Sequence, residues 1–319
     1  MTLRLPDRWI WDFWFAEDGP DVHVFYLQAP RSLRDPDRRH WNASVGHAVS
    51  TDLRNWTVLP DALGRGAPGS FDDMATWTGS VLALDGRWLM FYTGVSTRDA
   101  GLVQRIGVAA STDLVTWTRL GFGPLEADAR WYEKPAPPAE EAWRDPWVFW
   151  DDPTQRFHML VTARSRAGAV DGRGVIGHAS SGDLSSWVVG PPLSEPGEFF
   201  ALEVPQLVDV GGCWWLLFSA QARDHSAARL ARDGVVAEGG THYLRAQTPL
   251  GPFRLERDEF LVGDPGGRHY AGRLLRRDDR WYFFAWQQFD DSGAFFGALS
   301  DPMPVVASDA TLAVRIPGR

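Results

Sequence analysis

The sequence of 319 residues has one cysteine, Cys213, so it can form no internal disulfide and no cysteine-based zinc site. It also lacks any run of about 18 apolar residues that could span a bilayer. The first residues do not show the pattern of a secretory signal. We therefore expect a cytoplasmic protein that does not bind membranes.

Positive charge is scarce: 32 Lys and Arg residues stand against 41 Asp and Glu residues, for a formal net charge of −9. Nucleic-acid-binding proteins concentrate positive charge, so we expect no nucleic-acid partner. No glycine-rich loop opens a predicted helix and no residues show metal-ligand spacing, so we predict no cofactor and no metal. A neutral ligand fits this composition better, and the 17 tryptophans offer surfaces on which sugars can stack. Oligomeric state cannot be predicted from these features.

Sustained helical periodicity is absent, and a repeat of strands and turns is present instead. Three segments share an apolar strand, a Ser/Thr-Asp turn and a tryptophan four residues after the aspartate. They are VGHAVSTDLRNWTVL, IGVAASTDLVTWTRL and IGHASSGDLSSWVVG, at residues 45–59, 106–120 and 176–190. Because the aspartates recur at one place in the unit, we predict that they cap turns. These residues are Asp52, Asp113 and Asp183.

The repeat continues along the whole sequence. A looser copy lies at residues 241–255, and paired apolar strands joined by Gly/Asp turns lie between the copies. Corresponding positions recur roughly every 60 to 70 residues, which gives five units of about four strands each. Radial repetition of four-stranded units is typical of β-propellers. We therefore predict an all-β fold in which residues 1–319 form one five-bladed β-propeller domain; a β-sandwich is the alternative, which the ordered copies disfavour.

Three acidic residues interrupt apolar segments where their blades begin: Asp12 in WIWDFWF, Asp145 in WRDPWVFW and Glu203 in LEVPQLV. The corresponding residues of the second and fifth units are Thr78 and Ala271, so these acids depart from the repeat. The first strand of each propeller blade lines the central channel, so we expect the three carboxylates to converge there. Buried carboxylates without partners are costly, which indicates a role for them. Paired carboxylates in an aromatic pocket are typical of glycosidic bond cleavage.

Several motifs together resemble glycoside hydrolase families 32 and 68, the clan of invertases, fructanases and levansucrases with a five-bladed propeller. VFYLQAP is similar to the family segment F-Y-Q-x-N-P, and VGHAVSTDLRNWTVLP to W-G-H-A-x-S-x-D-L-x-x-W. Five further segments are similar to family motifs. FDDMATWTGS is similar to the segment ending F-S-G-S, FYTG to Y-T-G, and WRDP to R-D-P. EVPQL is similar to E-C-P, and GGRHYAGR to a blade V segment with Y-A. The resemblance covers nearly the whole chain.

The resemblance implies a retaining β-fructofuranosidase that acts on sucrose or short fructooligosaccharides, with fructosyl transfer when a sugar replaces water. Asp12 would be the nucleophile, Glu203 the general acid and base, and Asp145, held by Arg144, the stabiliser of the transition state. The resemblance also implies a set of substrate-binding residues. These are Gln28, Trp41, Trp77, Thr78, Arg144, Tyr270 and Trp286.

The sequence departs from family 32 in three places. Trp11 replaces an asparagine before the nucleophile, which is closer to family 68, and EVP lacks the family cysteine. The chain ends soon after the fifth unit, so we expect no C-terminal β-sandwich and no polymeric substrate. Three alternatives remain open: a family 43-like arabinofuranosidase or xylosidase, a non-catalytic sugar-binding propeller, and a propeller that only binds proteins.

Overall fold

The computed structural model describes residues 3–290, 292–308 and 311–316. Its 21 strands form five antiparallel sheets, four with four strands and one with five. The first strands of neighbouring sheets contact one another in a closed ring: β1 with β5, β5 with β9, β9 with β13, β13 with β17, and β17 with β1. The predicted all-β, five-bladed propeller is therefore confirmed. None of the helices in the described part of the chain is long and apolar enough to cross a bilayer.

Each blade is built from one continuous stretch of the chain. Blade I comprises β1 (Arg8–Asp18), β2 (Asp21–Pro30), β3 (Ser44–Ser50) and β4 (Thr57–Leu63). Blade II comprises β5 (Ala75–Leu84), β6 (Arg87–Val95), β7 (Arg105–Ser111) and β8 (Thr118–Arg119). Blade III comprises β9 (Trp143–Asp151), β10 (Arg156–Arg164), β11 (Gly174–Ser181) and β12 (Trp187–Gly190).

The last two blades follow the same order. Blade IV comprises β13 (Glu203–Val210), β14 (Cys213–Ala220), β15 (Gly239–Ala246) and β16 (Val262–Asp264). Blade V comprises β17 (His269–Arg277), β18 (Arg280–Phe289), β19 (Phe295–Leu299), β20 (Met303–Ala307) and β21 (Leu312–Val314). The connecting segments contain one short α-helix, Ala227–Leu230, and five 3₁₀ segments: Arg31–Leu33, Pro36–Asn42, Thr97–Asp99, Val170–Gly172 and Ala222–Asp224.

The repeated aspartates cap turns between the third and fourth strands, as predicted. Asp113 Oδ1 accepts hydrogen bonds from the N–H groups of Val115 and Thr116, at 2.9 and 2.7 Å. Asp52 and Asp183 accept the same pair of bonds in blades I and III. The repeated sequence thus encodes one local hydrogen-bonding pattern three times.

Many of the tryptophans belong to the core between blades rather than to a surface. Trp11, Trp14, Trp143 and Trp215 are among the largest fully buried side chains. Indole rings bury large areas, so packing accounts for Trp14, Trp143 and Trp215 without a ligand.

The innermost strand of every blade is irregular at the same level. In each blade the pairing register between the first and second strands shifts at this point, as in a β-bulge. A bulge re-aims the side chains beside it. Four residues at these bulges have positive φ, which non-glycine residues seldom adopt. They are Asp12 (φ 22°), Asp145 (φ 59°), Val204 (φ 55°) and Ala271 (φ 50°).

The ring closes through non-covalent contacts between blades I and V. The N–H of Leu299 donates to the carbonyl of Leu3 at 3.0 Å. Arg31, which follows β2, donates from Nη2 to the carbonyl of Phe296 at 2.9 Å. We call this junction the seam.

Candidate active site

A cavity of about 380 Å³ opens where the five bulges meet. Asp12, Asp145 and Glu203 all line it, so the structure brings the three predicted acids together. Six of the seven predicted substrate-binding residues line it as well: Trp41, Trp77, Thr78, Arg144, Tyr270 and Trp286. Two other cavities, of about 430 and 800 Å³, have mainly apolar side chains and contain none of these residues.

The bulges arrange the cavity residues in two layers. The residues at the bulge form one layer: Asp12, Thr78, Asp145, Val204 and Ala271. The residues immediately before them form the other layer: Trp11, Trp77, Arg144, Glu203 and Tyr270. Glu203 therefore corresponds to Arg144 of blade III, one position before Asp145. Asp12 and Asp145 share a layer, and Glu203 reaches the same space from the neighbouring one.

Asp12 is the acid most affected by its surroundings. Its Oδ2 accepts a hydrogen bond from Thr78 Oγ1 at 2.8 Å, which links blades I and II. Burial, followed by the charges of Asp145 and Glu203, raises the pKa of Asp12 from 3.8 to about 7. The Thr78 hydrogen bond and the positive charge of Arg39 act in the opposite direction. Asp12 therefore changes its charge near neutral pH.

Asp145 is fixed on several sides. Its side chain is buried, and Oδ2 accepts hydrogen bonds from Thr162 Oγ1 at 2.7 Å and from the N–H of Val204 at 3.1 Å. Burial raises the pKa of Asp145, while Arg144, with Nε 3.6 Å from Oδ2, lowers it. Because these partners hold the carboxylate in one orientation, Asp145 suits a fixed contact to a ligand better than proton transfer.

Glu203 has different partners and more access to solvent. Arg144 Nη2 donates to Oε1 and the Tyr270 hydroxyl donates to Oε2, each at 2.5 Å. Its side chain is 24% exposed, against 4% for Asp145. We expected Arg144 to hold Asp145, but its shorter contact is with Glu203, because Arg144 and Glu203 occupy the same layer.

Gln28 is the predicted substrate-binding residue that the cavity does not include. It is buried within blade I, and its Nε2 donates to Ser44 Oγ at 3.4 Å. Leu27 lines the cavity in its place. Successive side chains of a strand point to opposite faces, so a shift of one residue moves the contact away. In the segment FYLQAP it is Leu27 that occupies the position of the glutamine in F-Y-Q-x-N-P.

Aromatic rings form one wall of the cavity. Trp41 and Trp77 have ring centroids 5.7 Å apart, and Trp77 Nε1 donates to the carbonyl of His40 at 2.7 Å. Trp41 is 38% exposed. Trp41 therefore offers an open indole surface on which a sugar ring could stack.

Sequence reasoning missed several cavity residues that come from connecting segments. Arg39 and His40 lie in the 3₁₀ segment Pro36–Asn42, and Asp224 lies after β14. Burial, followed by the charge of Glu203, raises the pKa of Asp224 to about 6. The sequences of these segments are not repeated, so the repeat carried no signal that could have marked them.

Arg273 connects blade V with the blades around it. It is buried, and its Nη1 donates to the carbonyl of Pro205 at 2.6 Å. Its Nε donates to the carbonyl of Phe13 at 3.3 Å, and its guanidinium lies 5.3 Å from the Trp147 ring centroid. Arg273 is thus a buried positive charge that also interacts with Asp12 and Asp145. Within residues 3–290, 292–308 and 311–316, no group of three His, Cys, Asp or Glu residues could hold a metal ion.

Residues 19–296 match the model of the glycosyl hydrolases family 32 N-terminal domain. The chain belongs to this family. The predicted resemblance to the family 32 and 68 clan is therefore confirmed. The matched range includes Asp145 and Glu203 and begins after Asp12, whose surroundings are those in which the sequence departs from the family pattern.

Two relatives of this family 32 chain illustrate the similarity. A β-fructofuranosidase, insoluble isoenzyme 6, from Oryza sativa subsp. japonica is 28% identical over 291 residues, which cover 85% of this chain and 44% of the relative. A raffinose invertase from Escherichia coli is 28% identical over 313 residues, which cover 92% of this chain and 59% of the relative. The chain thus spans about half the length of these relatives.

Two solved structures share the fold. An inulosucrase from Halalkalicoccus jeotgali bound to kestose superposes with a TM-score of 0.79 at 23% identity, covering 97% of this chain and 87% of that chain. Bacillus subtilis levansucrase superposes with a TM-score of 0.74 at 13% identity, covering 98% and 87%. Both comparisons agree with the five-bladed architecture described above.

Proposed function

We propose that this family 32 protein is a retaining β-fructofuranosidase that cleaves sucrose or short fructooligosaccharides. The observation that carries the proposal is the meeting of Asp12, Asp145 and Glu203 in one cavity, each with a different set of partners. The names of the relatives, a β-fructofuranosidase and a raffinose invertase, support a fructoside as the substrate.

In the first step Asp12 attacks the anomeric carbon of the fructosyl unit. A bond forms between Oδ of Asp12 and that carbon while the glycosidic carbon–oxygen bond breaks. Glu203 gives its proton to the departing oxygen. Thr78 holds the Asp12 carboxylate by one oxygen, Oδ2, which leaves the other free to react. In the second step Glu203 takes a proton from water, water attacks the same carbon, and the bond to Asp12 breaks.

The surroundings of the acids support this division of roles. Glu203 is more exposed than Asp145, and a residue that exchanges protons with a leaving group and with water must reach both. Asp145 is buried and held by two donors, which suits hydrogen bonding to sugar hydroxyls as positive charge develops in the transition state. Asp12 is half-buried beside two carboxylates, and attack requires its ionised form.

Fructosyl transfer belongs to the same proposal. If a second sugar occupies the place of water, Glu203 deprotonates its hydroxyl and the fructosyl unit passes to it. The aromatic wall that contains Trp41 offers a surface for such an acceptor. Transfer and hydrolysis differ only in the nucleophile of the second step.

The decisive experiment traps the intermediate. Glu203→Gln removes the acid and base but leaves Asp12 in place. With an activated aryl fructoside, whose leaving group needs no proton, we expect mass spectrometry to find one hexosyl unit on the peptide that contains Asp12. The matched control is the double variant Asp12→Asn/Glu203→Gln, which should remain unmodified. If neither protein is modified and the wild type releases no product, the hydrolase proposal is wrong.

A product assay with the wild type defines the substrate. Sucrose and short fructans should yield fructose, and high sucrose concentrations should also yield longer fructosides if transfer competes. Aryl arabinofuranosides and xylosides test the family 43-like alternative. Sugar binding without turnover would instead support a non-catalytic sugar-binding propeller.

A further inference from the structure

Arg39 is a buried cation in the wall of the cavity for which the proposed mechanism has no role. It lies in the 3₁₀ segment Pro36–Asn42, which joins β2 to β3. It is only 9% exposed, yet it lines the same cavity as Asp12. Burying a guanidinium is costly, so its position requires an explanation.

Aromatic rings hold Arg39 in place. Its guanidinium carbon lies 4.6 Å from the Phe295 ring centroid and 5.6 Å from those of Trp11 and Trp286. Its Nη1 donates to the carbonyl of Pro36 at 2.9 Å. Cation–π contacts and a carbonyl fix the position of a cation without cancelling its charge.

No buried carboxylate forms a direct ion pair with Arg39 among the described residues. The acid within ion-pair distance is Asp37, at 3.7 Å, and its side chain is 94% exposed, so water screens this pair. The cavity acids on which the Arg39 charge acts are Asp12 and Glu203. Glu203 already has Arg144 at 2.5 Å, whereas the hydrogen-bonding partner of Asp12 is the neutral Thr78.

The surroundings of Asp12 make one additional charge important. Burial and neighbouring carboxylates raise its pKa to about 7, so its two protonation states are close in population at neutral pH. The hydrogen-bonding, titratable and charged groups that face it come from five segments. They are Thr78 in β5, Asp145 in β9, Glu203 in β13, Tyr270 and Arg273 in β17, and Arg39 in the 3₁₀ segment.

We propose that Arg39 is a positioning residue whose caged cation favours the carboxylate form of Asp12. This inference rests on the proposed function, in which only the ionised Asp12 can attack. Arg39 acts through Asp12 and touches no bond that forms or breaks. Arg273 also opposes protonation of Asp12, but its hydrogen bonds to the carbonyls of Phe13 and Pro205 tie it to the framework of the channel.

The test measures the protonation of Asp12 directly. Wild-type protein labelled with ¹³C at the aspartate carboxyl carbons is titrated by NMR, and the Asp12 signal is assigned by its absence in Asp12→Asn. In Arg39→Met we expect the Asp12 midpoint to rise, by up to about one pH unit, because an opposite charge favours the carboxylate. Arg39→Lys should restore much of the wild-type value. An unchanged midpoint in Arg39→Met would overturn the inference.

The matched control is Arg38→Met, which removes the same charge from the exposed neighbouring residue and should leave the midpoint unchanged. An equal shift in both variants would assign the effect to net charge rather than to the cage and would also overturn the inference. Arg39→Gln takes the place of Arg39→Met should the latter fail to fold.

Kinetics provide a second readout. The acid limb of kcat/KM in Arg39→Met should move to higher pH, with a loss of up to about tenfold below the limb and a smaller loss above it. A merely structural role would lower the rate equally at every pH. If no fructoside is cleaved at all, the proposed function fails, and the NMR titration still decides whether Arg39 controls the charge of Asp12.

Discussion

The aspartates of the outer turns and those of the channel mouth show how position in a blade determines the behaviour of one side chain. Asp113 is exposed, and two backbone N–H groups, assisted by the Ser111 hydroxyl, lower its pKa to about 2. Asp12 is half-buried beside two other carboxylates, and its pKa rises to about 7. Asp113 is therefore always ionised at physiological pH, whereas Asp12 titrates there.

The difference follows from what surrounds each carboxylate. N–H donors stabilise the anion and do so in water, where the anion is already well solvated. Burial removes water, and neighbouring negative charges oppose a further one. A turn aspartate therefore stabilises the fold, whereas Asp12 is kept at a cost to stability. Three measurements test this contrast, and the first has the largest expected effect.

Replacing Asp12 should remove activity without weakening the fold. We expect Asp12→Asn to lower kcat by about 10⁴-fold, because it removes the proposed nucleophile. The Tm at neutral pH should stay the same or rise, because a buried charge disappears. Initial rates on sucrose and thermal unfolding measure both quantities. Normal turnover in this variant would exclude Asp12 as the nucleophile.

The pH dependence of stability should show the raised pKa of Asp12. Because its pKa rises on folding, its favourable contribution is complete below 3.8 and is lost as the pH rises through about 7. The wild type should thus lose stability relative to Asp12→Asn across this interval, by a few kcal/mol at most. Urea unfolding at a series of pH values measures the difference. A constant difference between the two proteins would show that Asp12 does not titrate as described.

Replacing a turn aspartate should lower stability and preserve activity, which is the opposite of the effect expected for Asp12→Asn. Asp113→Ala should lower the Tm by a few degrees and leave kcat/KM unchanged, because it removes the acceptor of the turn N–H groups. The pKa of Asp113 falls on folding, so its contribution is present above pH 3.8 and is lost as the pH falls through about 2. The Tm difference from the wild type should therefore shrink towards pH 2. A large loss of activity would contradict the separation of the two regions.

The repeat predicted the blades and the turns because the same local sequence forms the same local hydrogen bonds. The central acids could be recognised for the opposite reason: Asp12 and Asp145 interrupt a pattern that the other units keep. The sequence did not show that Glu203 lies level with Arg144 rather than with Asp145. Each bulge shifts the pairing between the first and second strands by one residue, and this shift leaves no mark in the sequence. The prediction that Gln28 lines the cavity differs from the structure for a similar reason. One position along β2 separates Leu27, which lines the cavity, from Gln28, which lies in the blade interior.

The cavity residues from connecting segments could not be predicted either. Arg39 and Asp224 reach the mouth because of the paths taken after β2 and β14, and those paths depend on contacts distant in sequence. Arg31, for example, ties the segment after β2 to Phe296 in blade V. Such contacts have no periodicity by which a sequence could reveal them.

The seam between blades I and V has a consequence for how the protein loses function. Asp12 belongs to the first blade, and Tyr270 and Arg273, whose side chains interact with it, belong to the last, so the surroundings of Asp12 come from both sides of the junction. The sheets themselves do not cross it. If blades I and V separated locally at the seam, the cavity would lose its geometry while every sheet stayed intact. We therefore expect the rate of turnover to report opening of the ring before the circular dichroism signal of the strands changes.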